Sequence, residues 1–411
     1  MTEPMKTRIA ISPEEALDLV IRSSSPCPPQ AFALADAGGL VLTEAMLADR
    51  DYPPFPRAMM DGFAVRVADA GRTVPVVGEI PAGCFWQTAL SPDQCLEILT
   101  GAACPPGTEA VVKKEDINRL GDQIRLPAVI AAGQHIAPQG SECRAGQPVL
   151  AAGDVVTPLA VAAMASFGFT SVKAIPRPRL GIITTGSELI ALGQIPQHGQ
   201  IRDSNGPMLA TMARELRIEC SLQSCTTDSR EMIVQALDRL AEVEIVVLAG
   251  GVSVGTYDLV PKAVADYGAE LVFHGVKQKP GKPLLLARKG RQLLFGLPGN
   301  PLGCHFGFHR YVSAAIRKMS GREAIPTVFR GEVVPDSLLG GIGAGDRTHF
   351  IPARAAYATH SRASWCIELL PGLTSADVFS TCHANCYVEL LPGNTAKIGD
   401  VLPFTRFDGV S

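Results

Sequence analysis

Three times between residues 180 and 301 an apolar run ends in a glycine turn that carries hydroxyl, amide or carboxylate side chains. Residues 180–184 lead into Thr185, Gly186, Ser187 and Glu188. Residues 245–248 lead into Gly250, Gly251, Ser253, Gly255 and Asp258, and residues 293–297 into Pro298, Gly299, Asn300 and Pro301. Continuous apolar runs of this length mark strands buried on both faces. Glycines lack the Cβ that keeps a ligand off the main chain, so several backbone N–H groups can point at one phosphate. Loops at the carboxyl ends of neighbouring parallel strands converge on one crevice, which makes an anionic, nucleotide-like ligand the expectation.

Lys277, Lys279 and Lys282 lie between the second and third turns. Pro280 and Pro283 stiffen the segment and present Lys279 and Lys282 in a fixed relation, as an oxyanion clamp requires; a solvated surface turn is the plainer alternative. Glu188, Asp203, Asp228 and Asp258 each stand at or just after a strand end, and hard oxygen ligands of this kind suit Mg²⁺ beside a nucleotide phosphate. A helix cap is the competing role for Asp228, and a turn and cap for Asp203, Ser204 and Asn205. Asp61 and Thr100 read by themselves as turn residues. His135, His305 and His309 have no partner at nucleophile–base spacing. The chain carries no Walker loop, no His-Glu-x-x-His and no serine-triad signature, so positioning, metal and electrostatics are the expected means of catalysis.

The elements that hold these groups follow from pattern. Ser12, Pro13, Glu14 and Glu15 open a helix with a cap, a proline at the first position and early acids. Residues 51–143 change to short β-prone pieces separated by Pro and Gly turns, which reads as a separate β module. An Ala-rich helix over 157–167 follows. Beyond the proline-spaced linker 176–179, strands at 180–184, 219–226 and 245–248 alternate with helices at 207–216 and 229–241, a parallel-sheet pattern. After residue 321 the helices stop, and strands at 327–334, 366–370 and 387–391 suggest a small β-barrel or sandwich.

A chain of 411 residues exceeds one core, and 46% apolar residues place it among compact proteins despite 40 Gly and 32 Pro. A formal net charge of −3 gives no basic footprint, which makes nucleic acid an unsuitable partner. The apolar stretches are broken by Pro or Gly short of a bilayer span, so no membrane is expected. Eleven irregularly placed cysteines and a first segment without a signal-peptide core fit a reducing cytoplasm. Cys382 and Cys386 flank His383, but no second pair stands at zinc-finger spacing.

Seven segments in this order resemble the MoeA family of molybdopterin molybdenumtransferases: PPFPRAMMDGFAVR (53–66), LTGAACPPGTEAVVKKE (99–115), TTGSEL (184–189), GQIRDSN (199–205), GGVSVGTYD (250–258), KPGKP (279–283) and GLPGNP (296–301). The resemblance spans nearly the whole chain. It implies a multidomain α/β plus β fold. A segmented N-terminal domain (1–50 and 144–178) carries the inserted β module (51–143). A MogA-like α/β domain with a parallel-rich sheet (179–325) and a C-terminal β-barrel (326–411) follow. It further implies a homodimer that binds adenylylated molybdopterin and molybdate and releases AMP and molybdenum cofactor with Mg²⁺ present. A MogA-like adenylyltransferase and apo-molybdoenzymes are the implied partners.

By the same resemblance Asp61, Thr100, Glu142, Glu188, Asp228, Asp258, Lys279 and Lys282 face the reaction. Gly186, Ser187, Gly250, Gly251, Ser253, Gly255, Pro298, Gly299 and Asn300 hold the cofactor precursor. Asp228 and Asp258 take Mg²⁺, while Lys279, Lys282, Arg347 and Ser375 contact molybdate. The chain departs from the family pattern at Ala58 and Gly303, where serine is usual, at Met59, at 137–139, where a basic run is common, at Glu142 for aspartate, and at Ala376 for glycine. An adenylyltransferase acting on molybdopterin, which would consume ATP, and a non-catalytic pterin carrier or scaffold are the alternatives.

Overall fold

The computed structural model describes residues 8–225, 229–252, 259–334, 342–358, 363–370, 374 and 376–407. It divides into two compact units, Ala31–Ala174 and the remainder.

The larger unit is built on a seven-stranded sheet. Its strands are β1 (Arg8–Ile11), β2 (Leu180–Thr185), β3 (Cys220–Cys225), β4 (Ile245–Ala249), β5 (Glu270–Val276), β6 (Leu285–Lys289) and β7 (Gln292–Leu297), in the order β1-β5-β6-β7-β4-β2-β3. Only β6 runs against its neighbours. β2, β4 and β7 are adjacent, parallel and buried throughout, as their continuous apolar runs demand. The three glycine turns therefore leave the same edge of the sheet side by side.

Helices cover both faces. α1 (Pro13–Ser23), α2 (Asn205–Glu215) and the run Pro301–Met319 contribute Leu19, Leu209, Phe306 and Tyr311 to one core. α3 (Arg230–Arg239) and α4 (Val260–Asp266) contribute Ile233, Leu237 and Val264 to the other. Ser12 caps α1 by accepting from the Glu15 N–H at 3.1 Å, and Ser229 caps α3. Each such cap stabilises its helix by about 1 kcal/mol. α2 begins two residues before the expected start at 207, because Asp203 accepts from the Gly206 N–H at 3.0 Å and fixes the first turn. Residues 8–30, expected with the segmented domain, lie in this unit. The four-residue β1 pairs with β5, and so short a strand carries too little pattern to be recognised.

Five strands of the same unit, β8 (Val328–Val333), β9 (Thr348–Tyr357), β10 (Trp365–Leu369), β11 (Cys386–Leu390) and β12 (Val401–Arg406), close on themselves in the order β9-β10-β8-β12-β11-β9. Closure removes the free edges of an open sheet. The barrel also completes the α/β core: Phe306 stacks on Phe350 with ring centroids 4.4 Å apart, and His305 Nδ1 lies 2.8 Å from the Tyr387 hydroxyl.

The smaller unit holds a six-stranded sheet built from residues 62–125, packed on Phe63, Val65, Val112 and Ile124 on one face and on Ala58, Ile80, Leu96 and Val111 on the other. The helix Pro158–Ser166, capped by Thr157, covers a three-stranded sheet of Gln30–Ala33, Ser171–Ile175 and Val41–Leu42.

Candidate functional site

β2, β4 and β7 deliver their turns into one cleft of about 900 Å³ in the larger unit. The main chains touch there. Gly250 has φ +105°, and a Cβ on it would stand 2.5 Å from the Thr185 carbonyl oxygen. A Cβ on Gly299 would stand 3.7 Å from the Gly250 Cα, and the Gly250 N–H donates to the Leu297 carbonyl at 3.1 Å. Only a residue without a side chain fits at Gly250 between the strand ends.

Of the residues expected to hold the ligand, Gly186, Gly250, Gly251, Pro298, Gly299 and Asn300 line this cleft, as do Glu188 and Asp203. The Glu188 carboxylate folds back over Gly186, whose missing Cβ leaves the room. Ser253, Gly255, Asp228, Asp258 and Ser375 lie outside the described residues. Among the described residues no group of three or more His, Cys, Asp or Glu is placed to hold a metal ion. Glu188 and Asp203 are hard oxygen donors in the cleft wall, and one or two carboxylates beside phosphate and water oxygens are what Mg²⁺ ordinarily uses.

Lys279, Lys282 and Arg347 do not line the cleft, although Pro283, next to Lys282, does. Both lysines are exposed. They leave a turn anchored from below by Gln278, which is fully buried: its Nε2 donates to the Gly281 carbonyl at 3.0 Å, and its Oε1 accepts from the buried Tyr311 hydroxyl. Gln278 and Lys279 pair in parallel with Thr348 and His349 of β9. Strand alternation thus sends Gln278 to the core and puts Lys279 on the face that carries Arg347 and His349. Arg347 Nη1 lies 3.4 Å from the Gln278 carbonyl. Burial, then the neighbouring charges of Lys279 and Arg347, lower the His349 imidazole pKa to about 4, so it is neutral near pH 7.

In the smaller unit Asp61 and Thr100 form one motif. Asp61 Oδ1 accepts from both the backbone N–H and the hydroxyl of Thr100 at 2.7 Å, and these bonds hold the exposed carboxyl below its ordinary range. Glu142 pairs with Arg57 at 2.8 Å. Ala58 is buried among Ala64, Leu96 and Ala102, where a hydroxyl would meet hydrocarbon. At Gly303 a Cβ would lie 2.9 Å from Pro298 Cγ and 3.2 Å from the Gly281 nitrogen. Both departures from the family pattern are therefore packed positions in this protein.

Sequence reasoning passed over Gln278 and His349, and read Asn205 only as part of a turn and cap. Asn205, at the start of α2, donates its Nδ2 hydrogen to the Gly299 carbonyl at 2.8 Å and ties two of the converging segments together. The QKPGKP order puts Gln278 one residue before the lysine turn, which is the signal that could have exposed it; His349 has no local signature, and the GQIRDSN segment marks Asn205 without showing its partner Gly299.

Residues 11–168 match the MoeA N-terminal region (domain I and II), and residues 181–318 match a probable molybdopterin binding domain. The chain is 32% identical over 400 residues to a molybdopterin molybdenumtransferase of Staphylococcus aureus (strain Mu50 / ATCC 700699), covering 95% of this chain and 94% of that one. A protein of the same name from Staphylococcus epidermidis (strain ATCC 12228 / FDA PCI 1200) is 30% identical over 409 residues, with 97% and 96% covered. Among solved structures, a molybdopterin biosynthesis moeA protein from Pyrococcus horikoshii OT3 superposes with a TM-score of 0.78 at 26% identity, covering 97% of this chain and all of that one (100%).

Proposed function

Because the chain belongs to the MoeA family, we propose that it is a molybdopterin molybdenumtransferase of molybdenum cofactor biosynthesis, which inserts molybdate into adenylylated molybdopterin and releases AMP. The observation that carries this reading is the meeting of three glycine turns in one cleft, at the end of a parallel sheet where phosphorylated ligands bind. The backbone N–H groups of Gly251 and Gly299 would seat the pyrophosphate. Lys279 and Lys282, held by the Gln278 anchor, would neutralise the oxyanion and the charge that develops as AMP departs.

Arg347 and Ser375 would contact molybdate beside these lysines. Asp228 and Asp258 would hold Mg²⁺, which when bound offsets phosphate charge. Asp61 and Thr100 would act in the reaction, and the enzyme would be a homodimer in the cytoplasm. Such an enzyme takes its substrate from a MogA-like adenylyltransferase and hands its product to apo-molybdoenzymes.

The test follows AMP release from adenylylated molybdopterin in Mg²⁺, with and without molybdate. Molybdate-dependent release supports the transferase, whereas binding without release supports a carrier. Lys279→Ala and Asp228→Ala should each abolish release without lowering the melting temperature. Normal turnover by either folded variant removes that residue from the mechanism.

A further inference from the structure

Asn205 keeps one half of its amide unused. Its Nδ2 is committed to Gly299, while its Oδ1 is buried and has no hydrogen-bond partner among the described residues. The residue is 9% exposed and lines the cleft. Turning the amide over would set its oxygen against the Gly299 carbonyl, so the bond to Gly299 fixes which atom is left over. A buried acceptor without a donor is costly, and a ligand that supplies the donor recovers that cost on binding.

The ligand's phosphates cannot do this, since they offer only acceptors. A bare carbonyl oxygen therefore marks the part of the cleft that takes the donor-bearing end of the substrate. Asp203, two residues earlier, lines the same cleft and adds carboxylate oxygens, one of which already accepts from Gly206. Two acceptors in one cleft wall match the edge of a 2-amino-4-oxopteridine, where the exocyclic amine and the ring N3–H stand side by side. Adenine offers one amine next to a ring acceptor, a poorer match, and the ribose hydroxyls, the rival pair of donors, are present only in the adenylylated ligand.

We infer that Asn205 is a specificity-determining residue whose side-chain carbonyl accepts an N–H from the pterin ring, with Asp203 as the second acceptor. This rests on the proposed function in one respect, that the cleft ligand is a pterin. It adds the residue that reads the pterin and the atom that does so.

The experiment titrates the full-length protein with molybdopterin and with adenylylated molybdopterin, comparing wild type with Asn205→Leu, Asn205→Ala and Asn205→Asp. Circular dichroism melts identify the folded variants. Leu and Ala remove the acceptor, and each should weaken both ligands by about tenfold or more, the scale of one buried hydrogen bond. Asp has the shape of the amide and, protonated as burial against the Gly299 carbonyl favours, donates to that carbonyl while presenting an acceptor, so it should bind both ligands far more tightly than the Leu and Ala variants. A purely structural role would make all three variants equally weak and would overturn the proposal. Unchanged binding by a folded Leu or Ala variant would overturn it as well. A loss confined to the adenylylated ligand would place Asn205 on the nucleotide and refute the pterin assignment, leaving the transferase reading intact. Wild-type protein that binds neither ligand would refute that reading itself.

Discussion

The main chain of Gly250 lies against the carbonyl of Thr185 so closely that a Cβ on Gly250 would stand 2.5 Å from that oxygen. The ends of two adjacent parallel strands are thereby locked at a spacing no side chain can enter. Gly250→Ala should separate them. Its φ of +105° adds backbone strain for any L side chain, so a loss of about 1–3 kcal/mol is expected. Urea unfolding of the variant gives that loss directly. AMP release should fall with it, since Gly299 packs on the same glycine.

Gly303→Ser tests whether this chain merely lacks a hydroxyl that its family usually carries. The added Cβ would press on Pro298 at 2.9 Å and on the main chain of Gly281 at 3.2 Å. The substitution should therefore lower both the melting temperature and the turnover, and a more active variant would contradict the packing argument.

Tyr311→Phe removes the donor to Gln278 Oε1 without changing shape. It leaves a buried acceptor unpaired, at a cost of about 1–3 kcal/mol. Because Gln278 also holds Gly281, the lysine turn should loosen. AMP-release kinetics should then show a raised KM for molybdate, while Lys279 and Lys282 are unchanged in sequence.

Thr100→Val removes one of the two bonds that depress the Asp61 pKa. The folded-state value lies below the unfolded one, so the stabilisation is present above the unfolded carboxyl pKa of about 3.9 and is lost as pH falls through the folded value. NMR titration of the Asp61 carboxyl should show the value moving up in the variant. The stability gap between the two proteins should be open near neutral pH and close in acid.

What the sequence makes legible here is local. The runs in β2, β4 and β7 announce buried strands because burial on both faces leaves no polar position, and Ser12, Thr157 and Ser229 announce helix starts because they satisfy free N–H groups three residues on. What escapes is made between distant segments. Gln278 and Tyr311 are 33 residues apart and Asn205 and Gly299 are 94 apart, so neither pairing has a local pattern. β9 escapes for another reason: Pro352 interrupts a ten-residue strand that local propensity reads as broken, and closure of the barrel overrides it. The lysines were expected beside the glycine turns, yet their turn is drawn onto β9 by the pairing of Gln278 and Lys279 with Thr348 and His349, and only Pro283 reaches the cleft.

The stacking of Phe306 on Phe350 and the contact of His305 with Tyr387 bear on how this chain can be rearranged. A gene truncated after the last helix would yield a fragment with Phe306 uncovered and the edge of Gln278–Lys279 unpaired. That fragment would expose apolar surface and an unpaired edge, both of which favour self-association. Fusion, fission or circular permutation is thus confined to joints that keep residues 301–319 and 348–390 together, so this protein's architecture is less modular than its succession of folds suggests.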